Sequence, residues 1–427
     1  MSTLNQMLLA KLAHADDRPG FHYREHGSWK SVSWREAGER LRELAGTLVA
    51  LGLAPGERVA VVGDPHPAWV NADFAIMGLG GITVGIYPSL TAEQTAYQLA
   101  QSGSCIVLVD GPAQQAKIEG IRAGLPALRA VLHWEERRGE ALSPAAFEER
   151  ARKVQPSDIA TLVYTSGTTG NPKGAMLTHG ALASVAKATQ VAMPLNAGES
   201  SICFLPLAHV LQRIGVYRAL LEDISAYFCQ RVEEVMEVLP IAQPSVLLSV
   251  PRMLEKIKAG IEGKVQEQPA RRQRIFAWAL GVGRERSRLL EKGEEPGLAL
   301  RLRWALAQPV FRQVHARMGG KLKRFATGGA ALNPEVARFF HALGIEVLEA
   351  WGLTETSAPA TMNRPGNFRF GTVGRPLEGT EVQLAEDGEI LVRGPGLFAG
   401  YWQEPEATAA VMTPDGWFQT GDIGTWE

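Results

Sequence analysis

Cysteine is scarce. The 427 residues contain three, Cys105, Cys203 and Cys229, far apart and with no C-x-x-C pair. That spacing suggests neither a disulfide framework nor a cysteine zinc site, and it fits a reducing, cytoplasmic setting. Net charge is nearly absent too. With 44 Lys and Arg against 45 Asp and Glu, the formal charge is −1, so no nucleic acid partner is expected. Long apolar runs are also missing. The uncharged stretch 74–89 contains five glycines or prolines and is too short to span a bilayer. The N-terminus, MSTLNQMLLAKLAHADD, has neither the basic start nor the apolar centre of a signal peptide. What remains is an ordinary globular composition, 45% hydrophobic and 21% charged. The chain is long enough for two or three packed units.

One stretch concentrates the residue types that hold phosphate: Tyr164-Thr165-Ser166-Gly167-Thr168-Thr169-Gly170-Asn171-Pro172-Lys173-Gly174. The β-branched run 159–163 before it and the run 175–179 after it read as short strands. Glycine-freed backbone N–H groups, hydroxyls and an ammonium offer polyphosphate donors and positive charge at close range. The stretch is not a Walker A loop. In that frame Pro172 replaces the second glycine, and Gly174 follows the lysine where Ser or Thr is required. No G-x-S-x-G elbow can be drawn around Ser166 either.

Around this loop the pattern is alternating. Helical spacing over 34–53 is followed by strands at 58–63, 82–87 and 105–110, with helices at 68–78, 91–101 and 114–123 between them. The rhythm returns near 180–191, 202–205 and 245–249. Apolar strands alternating with amphipathic helices predict an α/β fold, with parallel sheets covered by helices on both faces. Residues 252–324 differ in character. They carry 18 Lys and Arg against seven Glu and no Asp, a local balance of +11. Long helices with basic faces are expected there, either simply solvated or in peripheral contact with anionic lipid or an acyl carrier's phosphates. From about 365 the texture turns to short strands broken by glycine. Asp387-Gly388 between two alternating runs marks a hairpin in a small antiparallel unit.

The loop closely resembles the signature of the adenylate-forming superfamily, which includes acyl-CoA synthetases, luciferases and peptide-synthetase adenylation domains. Four further stretches carry the same resemblance. Phe204-Leu205-Pro206-Leu207-Ala208-His209-Val210-Leu211-Gln212-Arg213 is similar to the acyl-pocket motif of long-chain fatty acyl-CoA synthetases. It offers no Asp for a substrate amino group, and Arg213 stands near the place where some bacterial relatives put an aromatic tunnel gate. Thr327-Gly328-Gly329-Ala330-Ala331 resembles the loop that approaches adenine. Glu349-Ala350-Trp351-Gly352-Leu353-Thr354-Glu355 resembles the aromatic-Gly-x-Thr-Glu motif, with Trp351 where Tyr is usual. Asp415-Gly416-Trp417-Phe418-Gln419-Thr420-Gly421-Asp422 resembles the ribose-binding block.

The resemblance runs from about residue 34 to the end. It implies two mostly parallel sheets flanked by helices, plus a small antiparallel β-barrel-like subdomain. Residues 1–364 would form the α/β core and 365–427 the small β unit ending at a hinge. By the same resemblance, Thr165, Ser166, Gly167, Thr168, Thr169, Gly170 and Lys173 would hold the β- and γ-phosphates of ATP. Gly328, Gly329, Ala330, Glu349, Trp351 and Gly352 would surround adenine, Thr354 would bond the α-phosphate and Asp422 the ribose diol. Glu355 would ligate Mg²⁺ and His209 would lie by the acyl carboxylate. Lys173, Thr354, Glu355 and His209 are thus the catalytic candidates. The family places a hinge and a further domain after the ribose block, carrying an arginine and a carbonyl-polarising lysine. Five residues follow Asp422, so neither can be assigned here. The implied activity is long-chain fatty acid–coenzyme A ligation through an acyl-adenylate. An acyl-AMP ligase, or a nucleotide- and acyl-binding fragment without turnover, stays open, as do a homodimer and a peripheral position at the inner membrane face.

Overall fold

The structure, a computed structural model, describes residues 2–165 and 171–427. Ser166, Gly167, Thr168, Thr169 and Gly170 of the phosphate-loop expectation lie outside the described residues.

A six-stranded sheet is built in the order Ala130–His133, Ile106–Val109, Arg58–Val62, Ile82–Ile86, Ile159–Thr165, Lys173–Thr178. Every neighbouring pair is parallel except the last, which is antiparallel. Its strands read as unbroken apolar runs because both faces are covered. Val59 and Val61 enter one core, while Ala60 and Val62 enter another. The helices Pro67–Gly78, Ala92–Ser102 and Pro112–Ile121 make the crossovers between strands.

Two further sheets follow, one joining the N-terminal hairpin to strands from the middle of the chain. One runs Ser28–Ser33, Pro19–Glu25, Ser225–Phe228, Ser200–Cys203; the other runs Val246–Ser249, Arg324–Thr327, Glu346–Trp351, Thr361–Met362, Arg375–Pro376. They abut where Ser245 N donates to Ser200 O at 3.1 Å. A three-stranded antiparallel sheet, Glu381–Leu384, Glu389–Arg393 and Phe418–Ile423, forms the small β unit, and Asp387-Gly388 lies at its first turn. The basic segment is helical as expected, over Pro251–Gln266, Ala270–Glu291 and Leu298–Arg317.

Sequence patterning passed over the N-terminal hairpin, Pro19–Glu25 with Ser28–Ser33. Its turn residues His26 and Gly27 both have positive φ, 48° and 79°. That conformation usually announces itself as Asn-Gly or Asp-Gly, and His-Gly hides it.

Arg213, which stands near the place where some bacterial relatives put an aromatic gate, belongs to the core. Arg213 is 1% exposed and locked in a polar network inside the core. Its guanidinium donates to Asp73 Oδ1 (2.6 Å), Thr161 Oγ1 (2.7 Å) and Tyr217 Oη (2.9 Å), and Tyr217 Oη in turn donates to Asp73 Oδ2 (2.7 Å). The network ties the helix Val210–Arg218 to the helix Pro67–Gly78 and the strand Ile159–Thr165. A guanidinium needs several acceptors once it leaves water, and these three elements supply them.

Candidate active site

The candidate residues gather beyond the C-terminal ends of parallel strands, where open α/β sheets leave a crevice. Thr165 ends its strand and pairs in register with Lys173, which opens the next. Gly328, Gly329 and Ala330 follow the strand Arg324–Thr327, and Trp351 closes the adjacent, parallel strand Glu346–Trp351. Gly328 permits that neighbour to come close, since a Cβ there would lie 2.8 Å from the Ala350 carbonyl oxygen.

Thr354 and Glu355 sit in a single turn of 3₁₀-helix, Thr354–Thr356. The chain folds back tightly on both sides of it. A Cβ on Gly352 would run into the Ala358 carbonyl, and Ser357 and Ala358 both take positive φ, 56° and 88°. Thr356 Oγ1 accepts from Leu353 N (2.8 Å) and donates to Ala358 O (2.7 Å), stapling the turn. Non-glycine residues in the left-handed region are costly and persist only where surrounding bonds impose them. Here they hold one carboxylate in place. Glu355 is buried, and its Oε1 accepts from the Tyr401 hydroxyl at 2.7 Å. Burial, and behind it the hydrogen bond to Glu355, push the Tyr401 phenol well above its ordinary range, so it remains a donor. Oε2 of Glu355 has no partner among the described residues, nor has the Thr354 hydroxyl.

Tyr401 also reaches Lys173, whose Nζ lies over its ring at 5.2 Å from the centroid. The segment carrying Tyr401 runs beside the strand Lys173–Thr178. Met176 N donates to Gly400 O (2.9 Å), Ala399 N to Met176 O (2.8 Å) and Trp402 N to Gly174 O (2.8 Å). Lys173, Tyr401 and Glu355 therefore form one connected group. Tyr401 was not anticipated from sequence. The signal available was the glycine-rich run 394–400 just before it, where Gly400 has φ of 119°.

A second pairing joins residues 71 positions apart. The Trp351 indole N–H donates to Asp422 Oδ2 at 2.8 Å. Asp422 stands exposed on the strand Phe418–Ile423, where Thr420 Oγ1 accepts from its backbone N–H (3.2 Å). Glu349 behaves differently from its neighbours. Its carboxyl is buried and accepts from Gly371 N at 3.4 Å, and burial pushes its pKa up to about 7.

His209 caps the helix Val210–Arg218. Its Nδ1 accepts from Leu211 N at 3.2 Å, so in the neutral ring the proton sits on Nε2, which is left as a donor. Water reaches the ring, yet the protein around it lowers its pKa by desolvation, favouring that neutral form. The helix that follows forms one wall of an apolar cavity with about 90 Å³ of free space. Leu211, Ile214, Met193, Leu248 and Met362 line it, and Thr327 and Ala350 reach it from the strand ends that carry Gly328 and Trp351. The Thr327 hydroxyl is buried there without a hydrogen-bond partner among the described residues. The structure thus brings Lys173 together with Glu355, brings Trp351 together with Asp422, and sets the helix of His209 and the glycine loop beside one cavity. Among the described residues the Glu349 carboxyl shares no hydrogen bond with either pair.

Comparison with known proteins identifies the family and the fold. Residues 10–402 match the AMP-binding enzyme family. The chain is 34% identical over 411 residues to the long-chain-fatty-acid–CoA ligase FadD15 of Mycobacterium bovis, covering 93% of this chain and 68% of that protein. It is 40% identical over 281 residues to the putative fatty-acid–CoA ligase fadD11 of Mycobacterium tuberculosis, covering 65% of this chain and 49% of that protein. In three dimensions it is similar to the N-terminal domain of FACL13 from Mycobacterium tuberculosis, with a TM-score of 0.76 at 20% identity, covering 100% of this chain and 98% of that one. The chain belongs to the AMP-binding enzyme family.

Proposed function

We propose that this chain is the adenylating part of a long-chain fatty acid–CoA ligase. ATP and a fatty acid would meet in the crevice described above, giving acyl-AMP and pyrophosphate, and coenzyme A would then take the acyl group. The observation that carries this reading is the apolar cavity lined by Thr327 and Ala350, the residues immediately before Gly328 and Trp351 in the chain.

Each residue then has a physical task. A fatty carboxylate is a weak nucleophile approaching a polyanion, so the site must neutralise charge and align the attack. Lys173, with Thr165 and the loop 166–170, supplies positive charge and donors for the β- and γ-phosphates. Thr354 offers its unpartnered hydroxyl to the α-phosphate. Asp422 presents two acceptor oxygens to the two ribose hydroxyls, and Trp351 gives adenine a flat face. Nε2–H of His209 points a donor toward the acid's carboxylate. Glu355 suits Mg²⁺, since one oxygen is pinned by Tyr401 and the other has no partner among the described residues, and Mg²⁺ is commonly held by one carboxylate together with substrate phosphates. When bound there, the ion would offset phosphate charge. Glu349, buried and with its pKa raised to about 7, lies on the adenine side and carries only part of a charge at neutral pH. Met193 and Met362 in the cavity wall are unbranched and adaptable, which suits a slot that must widen for a long chain.

Binding of non-hydrolysable acyl-sulfamoyl adenosines, measured by calorimetry across C6 to C20 chains, tests the reading. Each methylene buried is worth about 0.8 kcal/mol, so affinity is expected to rise about fourfold per carbon until the cavity is filled. An affinity indifferent to acyl length would overturn the assignment of the cavity. A second expectation concerns Trp351→Phe. It keeps a ring against adenine but removes the N–H that orients Asp422. A hydrogen bond of this kind contributes about 1 kcal/mol net, so ATP binding should weaken about fivefold and discrimination against dATP should fall. Equal ATP and dATP ratios in wild type and variant would show that the indole does not act through Asp422.

A further inference from the structure

The helix Leu298–Arg317 carries two apolar faces, and only one of them is used by the fold. Leu300, Ala307 and Phe311 point into the core and are buried. Leu298, Leu302 and Leu306, each a turn apart, are 74%, 60% and 68% exposed. At about 100° per residue, Ala305 and Pro309 fall on the same side as these leucines, almost opposite Phe311. An α-helix in a globular protein ordinarily shows water a polar face. Here the outward face is a leucine row.

The edges of that row are basic. By the same helical spacing, Arg301 and Arg312 border it on one side and Arg303 and Arg317 on the other. The helix holds no Asp or Glu at all. Arg301 and Arg303 have carboxylates from outside it, Glu295 at 2.7 Å and Glu285 at 3.0 Å, but these pairs are largely exposed and weak. Arg312 and Arg317 have no ion pair among the described residues. The packed neighbour Ala270–Glu291 continues the pattern. It exposes Ile275 (42%) and Trp278 (44%), together with Arg271, Arg274, Arg284 and Arg288, none of them ion-paired among the described residues.

We propose that this helix pair is a membrane-docking surface that lays the leucine row into the headgroup boundary of an anionic bilayer. The occupant is identified by its chemistry. A row of leucines needs an apolar medium a few ångströms deep, and the arginines on both flanks need anions at the level of the helix axis. An anionic lipid surface offers both at once, and a helix with an apolar face, an arginine-rich polar face and low mean hydropathy binds in that plane. The helix lies on the surface and does not cross, for no helix among the described residues is long and apolar enough to span a membrane. The docking surface is separate from the proposed chemistry, since no residue of either helix lines the apolar cavity.

Vesicle sedimentation with the 427-residue chain provides the test. Binding to phosphatidylcholine–phosphatidylglycerol vesicles is expected, with at least tenfold weaker binding to phosphatidylcholine alone and a decline at high salt. Leu302→Glu with Leu306→Glu should lower binding to the anionic vesicles at least tenfold while the thermal melt stays unchanged, because both side chains already face water. Leu302→Cys carrying an environment-sensitive fluorophore gives a second reading, with blue-shifted emission on vesicle addition that brominated acyl chains quench. A label that stays in water, or a leucine variant that binds as tightly as wild type, overturns insertion. Failure to bind anionic vesicles overturns the proposal outright, and would leave an acidic protein as the surface's partner.

Discussion

Arg213→Ala is expected to destabilise the chain by about 3–5 kcal/mol, the cost of leaving a buried charge without its partner. The reason is Asp73. Its carboxylate is 2% exposed, and both of its oxygens are served by this network, Oδ1 by Arg213 and Oδ2 by Tyr217. Removing the guanidinium also strips Thr161 and Tyr217 of a partner each. Urea denaturation followed by circular dichroism should show the midpoint falling accordingly. The effect should also reach the candidate site, because the network anchors the helix that His209 caps. Asp73→Leu combined with Arg213→Met is expected to recover much of the loss, since apolar residues of similar volume often replace a buried pair at little cost. A single variant as stable as wild type would show that the pair is dispensable to the fold.

Glu355→Gln is expected to slow adenylate formation at least a hundredfold on the proposed reading. The substitution is nearly isosteric, and the amide oxygen can still accept from the Tyr401 hydroxyl. The turn stapled by Thr356 should therefore survive, with stability within about 0.5 kcal/mol of wild type. What disappears is the formal charge on the carboxylate. Charge stabilisation by a bound divalent ion is worth several kcal/mol, and each 1.36 kcal/mol is tenfold in rate. Fatty-acid-dependent ATP–pyrophosphate exchange measures the effect, and raising Mg²⁺ should not restore it. Wild-type exchange in the variant would remove Glu355 from the metal role. Tyr401→Phe makes a useful comparison. It leaves the charge and frees the carboxylate to move, so a smaller loss is expected.

Much of the fold was legible in the chain because its strands are short and apolar and its helices well bounded. Ser33 and Glu36 form a capping box at the start of Trp34–Ala50, and Thr91 and Gln94 form another before Ala92–Ser102. The hairpin at His26-Gly27 escaped because its turn lacks the usual residue types. The family was legible for a different reason. Loops that must approach nucleotide closely tolerate few residue types, so runs such as Trp351-Gly352-Leu353-Thr354-Glu355 keep a recognisable spelling.

Sequence by itself determined the fold class and the family, and with them which residue types a site could use, because local patterning and motif spelling are written along the chain. Which residues meet was decided only by tertiary structure. The Trp351–Asp422 bond joins two motifs that sequence reading treated separately. Tyr401, in no motif considered, turned out to connect Lys173 with Glu355. Arg213, near the gate position of some relatives in sequence, is a core anchor through Asp73, 140 positions away. The leucine row on Leu298–Arg317 is the same lesson on the surface. Spacing along a helix shows that a second apolar face exists, but only the packing of the first against the core shows that the second is left in the open.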